Sequence, residues 1–166
     1  VTRIAEVCDE IVVVLAPDVD PPALTGTVPI RFAHDAREGE GPLGGLAAGL
    51  DVVTTELALV VAGDMPHLAP PVLAELIRVA ADARIDAGAL AQGDRVRPLP
   101  CVVATADARA SASTLLRASA RGARSVRGLL GTLRVAVVDE DTWRSLDPSG
   151  GTLHDVDEPG DLRSIG

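Results

Sequence analysis

Residues 37–50 read Arg-Glu-Gly-Glu-Gly-Pro-Leu-Gly-Gly-Leu-Ala-Ala-Gly-Leu. Gly39, Gly41 and Gly44 form a literal G-x-G-x-x-G, the pattern in which a strand-to-helix turn offers backbone amides to a dinucleotide pyrophosphate. The surroundings argue against that use. Asp35-Ala-Arg-Glu38 intervene between the preceding strand and Gly39, and an earlier strand means that this is not the first strand–helix unit. Pro42 stands where an amide donor is needed and has none. Asp64 lies about twenty residues beyond Gly44, as a ribose-binding acid would, but it follows Gly63 in a turn. The alternative takes Gly41-Pro42 as a tight turn and Leu43 onward as a helix with small residues at Gly44, Gly45, Ala47, Ala48 and Gly49. Such a face admits a planar ligand or a close helix–sheet contact. The helix's first amides would face the loop.

Working outward, Ile11–Leu15 is a β-branched run that reads as a strand buried on both faces. Val28–Ala33 is a second strand, placed near an edge by Pro29. Leu43–Thr54 is helical and Leu57–Ala62 is another buried strand. Pro70–Ala83 is a helix with prolines in its first turn. Ala87–Ala91 and Arg97–Ala104 flank Gln92-Gly-Asp-Arg95 and suggest a hairpin. Ala106–Ala120 and Val126–Leu130 are helical, Leu133–Val138 is a strand and Glu140–Leu146 a helical turn. Leu153–Val156 reads as a short strand and Glu158–Ile165 as a closing helix entered at Pro159. The opening stretch, with Ile4, Val7 and Cys8 at helical spacing, resembles the end of a helix, and residues upstream of Val1 are expected. The alternation predicts one α/β domain over residues 1–166: a three-layer α/β/α, mostly parallel, Rossmann-like doubly wound sheet.

Composition narrows the function. The chain has one Trp, one Phe and no Tyr, and a formal charge of −9. Base stacking and phosphate-backbone tracking are disfavoured, so no nucleic-acid partner is expected. All fifteen cationic residues are Arg. Without Lys there is no Walker A loop and no catalytic lysine within these residues. Cys8 and Cys101 form no C-x-x-C and read as reduced, buried thiols. No apolar run reaches the ~20 residues of a membrane span. No signal peptide is visible, and a cytoplasmic location without membrane contact is expected.

In open α/β sheets ligands sit beyond the carboxyl ends of strands. Those ends carry Asp35, Gly63-Asp64-Met65-Pro66 and His154-Asp155-Val156-Asp157. Asp64, directly after an apolar strand, suits Mg²⁺, which takes one or two carboxylates and completes its shell with phosphate oxygens and water. A capping or turn role is the alternative. Asp155 and Asp157 alternate about Val156 and share one face of an extended segment; they too have a capping alternative. Arg97, beside Pro98 and Pro100, is a candidate for holding an anionic group, or else a solvated edge residue. His34, His67 and His154 show no zinc-type spacing. No G-x-S-x-G or Cys–His arrangement supports nucleophilic hydrolysis.

"GPLGGLAAGL" (41–50), "VVAGDMPHL" (60–68), "RPLPCVV" (97–103) and "DVDEPGDL" (155–162) occur in register. Together they resemble the molybdenum cofactor guanylyltransferases and related nucleotidyltransferases of the GT-A-like, nucleotide-diphospho-sugar-transferase fold. The resemblance implies that Asp35 is a guanine-pocket acid and that Gly41, Pro42, Leu43 and Gly44 form the base and ribose wall. It implies that Asp64 holds Mg²⁺ on the nucleotide phosphates; if the face of Asp157 meets Asp64 a metal site closes, and both are expected to act catalytically. It further implies that Arg97, Pro98 and Asp155 meet a pterin substrate. Asp155, Asp157 and Glu158 replace Asn, Asn and Thr of the family's N-x-N-T-P, a more acidic arrangement. The family's opening strand and L-A-G-G-x-S-x-R-M-G-x-D-K loop have no counterpart here, and that strand belongs mid-sheet. The implied reaction is Mg²⁺-dependent transfer of GMP from GTP to molybdopterin with release of pyrophosphate. A transient molybdoenzyme or chaperone partner is a further expectation. Cytidylyl, sugar-phosphate or phospholactate transfer would use the same scaffold. A nucleotide-dependent oxidoreductase and a non-catalytic nucleotide-binding remnant are the competing classes.

Overall fold

The computed structural model describes residues 1–35, 41–82, 84–118 and 124–154. A single 3₁₀ turn, Ile4–Glu6, leads to β1 (Ile11–Leu15) and β2 (Ile30–His34), which pair in parallel. Next come α1 (Pro42–Val52), β3 (Leu57–Val60), α2 (Pro70–Ala80), β4 (Ala87–Gln92), β5 (Arg95–Ala104) and α3 (Thr105–Arg117). The chain continues through α4 (Val126–Leu130), β6 (Val135–Val138), α5 (Glu140–Leu146) and a 3₁₀ turn, Gly151–Leu153.

Helices cover both faces of the sheet, and the alternation along each strand decides which residue meets which layer. Ala89, Cys101 and Val103 pack with Leu43, Leu50, Ala108 and Leu129 of α1, α3 and α4. Their neighbours Leu90 and Val102 point the other way and pack with Val72, Leu76 and Trp143 of α2 and α5. The layered α/β architecture is therefore the expected one. The larger sheet, ordered β3-β5-β4-β6, is mixed: β4–β6 is parallel, whereas β5 runs antiparallel to both neighbours. The tight turn at Gly93-Asp94 causes this, because a two-residue connection can only join antiparallel strands.

The sheet is divided. β1–β2 and the four-stranded sheet share no ladder among the described residues, and a cleft of about 970 Å³ separates β1 from β3. This modifies the expectation that β1 and β3 are buried on both faces: only Ile11 of β1 is buried, and all of β3 is half-buried, because each strand has one edge open to the cleft.

α1 runs back along β2. Arg31 of β2 donates to the carbonyl of Val52 at 2.8 Å, while Gly45 lies beside Asp35. Arg109 of α3 donates to the carbonyls of Leu50 and Val53, closing the helix's carboxyl end. β4 and β6 are clamped where they start, since Asp86 accepts the Arg134 guanidinium at 2.6 and 2.9 Å and the Arg134 amide at 2.9 Å. These bonds hold the Asp86 carboxyl down at about 2.

Of the strand expected over Leu153–Val156, Leu153 instead lies in a 3₁₀ turn with His154 at its end, and Asp155 and Val156 lie outside the described residues. Gly150 adopts φ +69°, Gly151–Leu153 form a 3₁₀ turn, and the Thr152 amide is taken by the Asp147 carboxylate at 2.8 Å. The amides of Leu153 and His154 turn back to the carbonyls of Gly150 and Gly151 and so cannot serve a ladder. The helix expected over Glu158–Ile165 lies outside the described residues.

Candidate functional site

The glycine-rich stretch serves a turn and a close approach. Gly41 has φ +71°, a region open to glycine, and Pro42 opens α1 directly after it. A Cβ on Gly49 would stand 3.0 Å from Cγ2 of Val14, so the helix lies almost against β1. The helix–sheet reading of the small-residue face holds at this position. Leu43 is fully buried and Gly44 is buried, so both anchor the helix start in the core. Gly39 lies outside the described residues.

Of the expected polar residues, Asp35 and Asp64 follow the carboxyl ends of β2 and β3. The Asp35 amide donates to the carbonyl of Leu15 at 2.9 Å, which fixes this residue just beyond both β1 and β2. Asp35, Gly41 and Pro42 border the cleft on one side; Gly63, Met65 and Pro66, following β3, border it on another. Asp64 is exposed in that turn, and its carboxylate has no hydrogen-bond or ion-pair partner among the described residues.

Register brings in the third segment. Val60 pairs with Cys101 in the antiparallel β3–β5 ladder. Residues 61–64 therefore continue towards the end of the sheet at which β5 carries Pro98 and Arg97. Arg97 stands opposite Leu90, and Cys101 opposite Ala89, so Pro98, Leu99 and Pro100 form an insertion in β5. The two prolines supply no ladder donors, which explains why the pairing slips there. Arg97 and Pro98 are half-buried, and Leu99 reaches the cleft.

Asp155 and Asp157 lie outside the described residues. Among the described residues no three His, Cys, Asp or Glu side chains come together as a metal cage. A single exposed carboxylate beside a cleft nevertheless fits the donor chemistry of Mg²⁺, whose remaining ligands are phosphate oxygens and water. His34 lies 3.1 Å from the carbonyl of Val19, a structural contact.

A network that sequence reading missed lies next to this site. Asp147 is buried and accepts hydrogen bonds from Ser149, the Thr152 amide and the Thr152 hydroxyl. Burial pushes its carboxyl up, but these donors outweigh it and hold it below the usual carboxylate range. The turn-forming run Asp147-Pro-Ser-Gly-Gly-Thr152 was its one visible signal.

The fold is a layered α/β sheet with Asp35 and the Asp64 turn at strand ends beside one cleft, and comparison with known proteins gives its class. The MobA-like NTP transferase domain matches residues 1–137, and the chain belongs to this nucleotidyltransferase family. It is 30% identical over 167 aligned residues, covering 99% of this chain and 76% of the relative, to a "probable molybdenum cofactor guanylyltransferase" of Chloroflexus aggregans. Among solved structures it is similar to molybdopterin-guanine dinucleotide biosynthesis protein A of Archaeoglobus fulgidus: 25% identity, TM-score 0.66, with 81% of this chain and 65% of that chain covered. It shares the fold of 2-C-methyl-D-erythritol 4-phosphate cytidylyltransferase from Thermus thermophilus, at 20% identity and TM-score 0.63, over 93% of this chain and 79% of that one. The chain thus spans just under two thirds of the Archaeoglobus protein's length. No helix of the described residues is long and apolar enough to cross a membrane.

Proposed function

We propose that the protein is a molybdenum cofactor guanylyltransferase, moving GMP from GTP to a molybdopterin-type acceptor. The observation that carries this reading is the shared cleft: Asp35 and Gly41-Pro42 border it opposite the Gly63 turn that bears Asp64. The family match supports it, as do the names of the Chloroflexus and Archaeoglobus relatives.

In the proposed reaction an anionic phosphate oxygen of the acceptor attacks the α-phosphorus of GTP in line. The new P–O bond forms as the bond to the β-phosphate oxygen breaks, and pyrophosphate leaves with that electron pair. A phosphate monoester is already ionised near neutral pH, so no side chain has to remove a proton. The chain's task is positioning and charge. Asp35 is assigned to the guanine edge, and Gly41 and Pro42 to the base and ribose side. Arg97 and Pro98 are assigned to the acceptor. Asp64, together with Asp157, is assigned to Mg²⁺. When bound, Mg²⁺ offsets charge on the α- and β-phosphates.

Isothermal titration of the full-length protein with GTP and with CTP, with and without Mg²⁺, tests the reading. Mg²⁺-dependent GTP binding that exceeds CTP binding at least tenfold is expected. A preference for CTP reassigns the protein to cytidylyl transfer, and absence of binding to either overturns the enzymatic reading.

A further inference from the structure

One side chain of the β5 insertion packs against both of the core clusters that flank the cleft. Leu43, next to Pro42 in the first turn of α1, belongs to a buried cluster that includes Leu50 and Cys101. Met65, next to Asp64, belongs to a second and smaller cluster with Leu68 and Leu73. Leu99 packs against both, alone among the described residues, and it borders the cleft.

The backbone explains how Leu99 comes to stand there. Cys101 pairs with Val60 of β3 and with Ala89 of β4, so two ladders fix it. Arg97 pairs next, with Leu90, and leaves Pro98-Leu99-Pro100 outside the β4 register. Pro100, fully buried, confines the leucine before it to an extended conformation. The Asp64 turn is anchored as firmly: Met65 is 5% exposed, and its amide returns to the carbonyl of Ala62 at 3.4 Å. The Asp64 carboxylate has no hydrogen-bond or ion-pair partner among the described residues, so its position follows from the backbone that Met65 anchors. Close-packed side chains transmit a displacement from one to the next.

We propose that Leu99 is a positioning residue of the nucleotide site: its side chain sets the spacing between the start of α1, with Gly41 and Pro42, and the turn that bears Asp64. This rests on the assignment of those residues to GTP and its Mg²⁺. A leucine that served the core alone would change the melting temperature and leave metal use untouched. A positioning leucine changes how much Mg²⁺ nucleotide binding requires in protein that is still folded, because a misplacement of about 1 Å between binding groups is costly.

The test uses the full-length protein and measures GTP binding across a Mg²⁺ series, with folding checked by circular dichroism. Leu99→Ala empties the space between the two clusters, and the half-saturating Mg²⁺ concentration is expected to rise at least tenfold. Leu99→Met keeps the volume and should stay within twofold of wild type. Leu99→Val is the milder truncation and is expected to raise the midpoint at least threefold should Leu99→Ala fail to fold. Leu129→Ala makes a cavity in the first cluster at a residue that does not line the cleft; it should lower the melting temperature and keep the midpoint within twofold of wild type. An unchanged midpoint in folded Leu99→Ala or Leu99→Val, or an equal rise in Leu129→Ala, overturns the positioning role while the site assignment stands. Wild type that binds GTP without any Mg²⁺ dependence overturns the assignment and this inference together.

Discussion

Val60 faces Cys101 across the β3–β5 ladder, and this register position determines which turns share an end of the sheet. One residue of slip would turn β3's side chains to the opposite layers and shift Asp64 by about 3.4 Å relative to Arg97. The placement of Asp64 and Arg97 at one end of the sheet depends on that pairing.

Asp64 is exposed and has no partner among the described residues, so its replacement removes charge without disturbing the core. Asp64→Asn is expected to lower metal-dependent pyrophosphate release by roughly 10²-fold or more, consistent with loss of several kcal/mol of metal-mediated stabilisation. Its thermal midpoint should match wild type. Full turnover in this variant would remove Asp64 from the metal site.

The Asp86–Arg134 clamp makes a signed prediction about acid stability. The folded carboxyl sits at about 2 against an ordinary 3.8, so the folded state favours the charged form. The stabilisation is complete above the unfolded value and is lost as pH falls through the window from 3.8 towards 2. Arg134→Ala should therefore move the acid-unfolding midpoint upward, read by circular dichroism from pH 5 downward. An unchanged midpoint would show that the clamp has no role in acid stability.

The two thiols differ. Burial pushes Cys101 up to about 12, and its side chain is inaccessible in the core. Cys8 is only half-buried and borders the cleft; burial, and then the charge of Asp9, raise it more modestly. A thiol reagent at pH 8 should modify Cys8 in the native protein and reach Cys101 only in denaturant, as peptide mass mapping would show. Native labelling of Cys101 would contradict the core described above.

Trp143 is fully buried and donates its indole N–H to the carbonyl of Ala91 at 2.7 Å. Trp143→Phe removes this part-buried hydrogen bond and should cost about 0.5–1.5 kcal/mol in urea unfolding. Circular dichroism is the appropriate probe, since the substitution removes the single tryptophan.

Much of this architecture was legible because apolar periodicity dominated local choice. The runs at Ile11–Leu15 and Val126–Leu130 formed the elements their patterns predict. Pro42 and Pro70 marked helix starts because proline's fixed φ suits a first turn. The Asp64 turn was visible as a carboxylate after an apolar strand. Tertiary hydrogen bonding was less visible. Asp147 looks like any turn acid in sequence, and only the structure shows that it captures Thr152 within the turn that also takes up the Leu153 amide. The depth of the β5 insertion was equally hidden: two prolines announce lost donors but not which residues re-pair beyond them.

The divided sheet has a practical corollary for handling these 166 residues in isolation. Facing rows of amides and carbonyls on β1 and β3 are templates for any extended polypeptide, including another molecule of the same sequence. Colloidal behaviour should then depend on concentration, with light scattering rising as molecules stitch together through those margins.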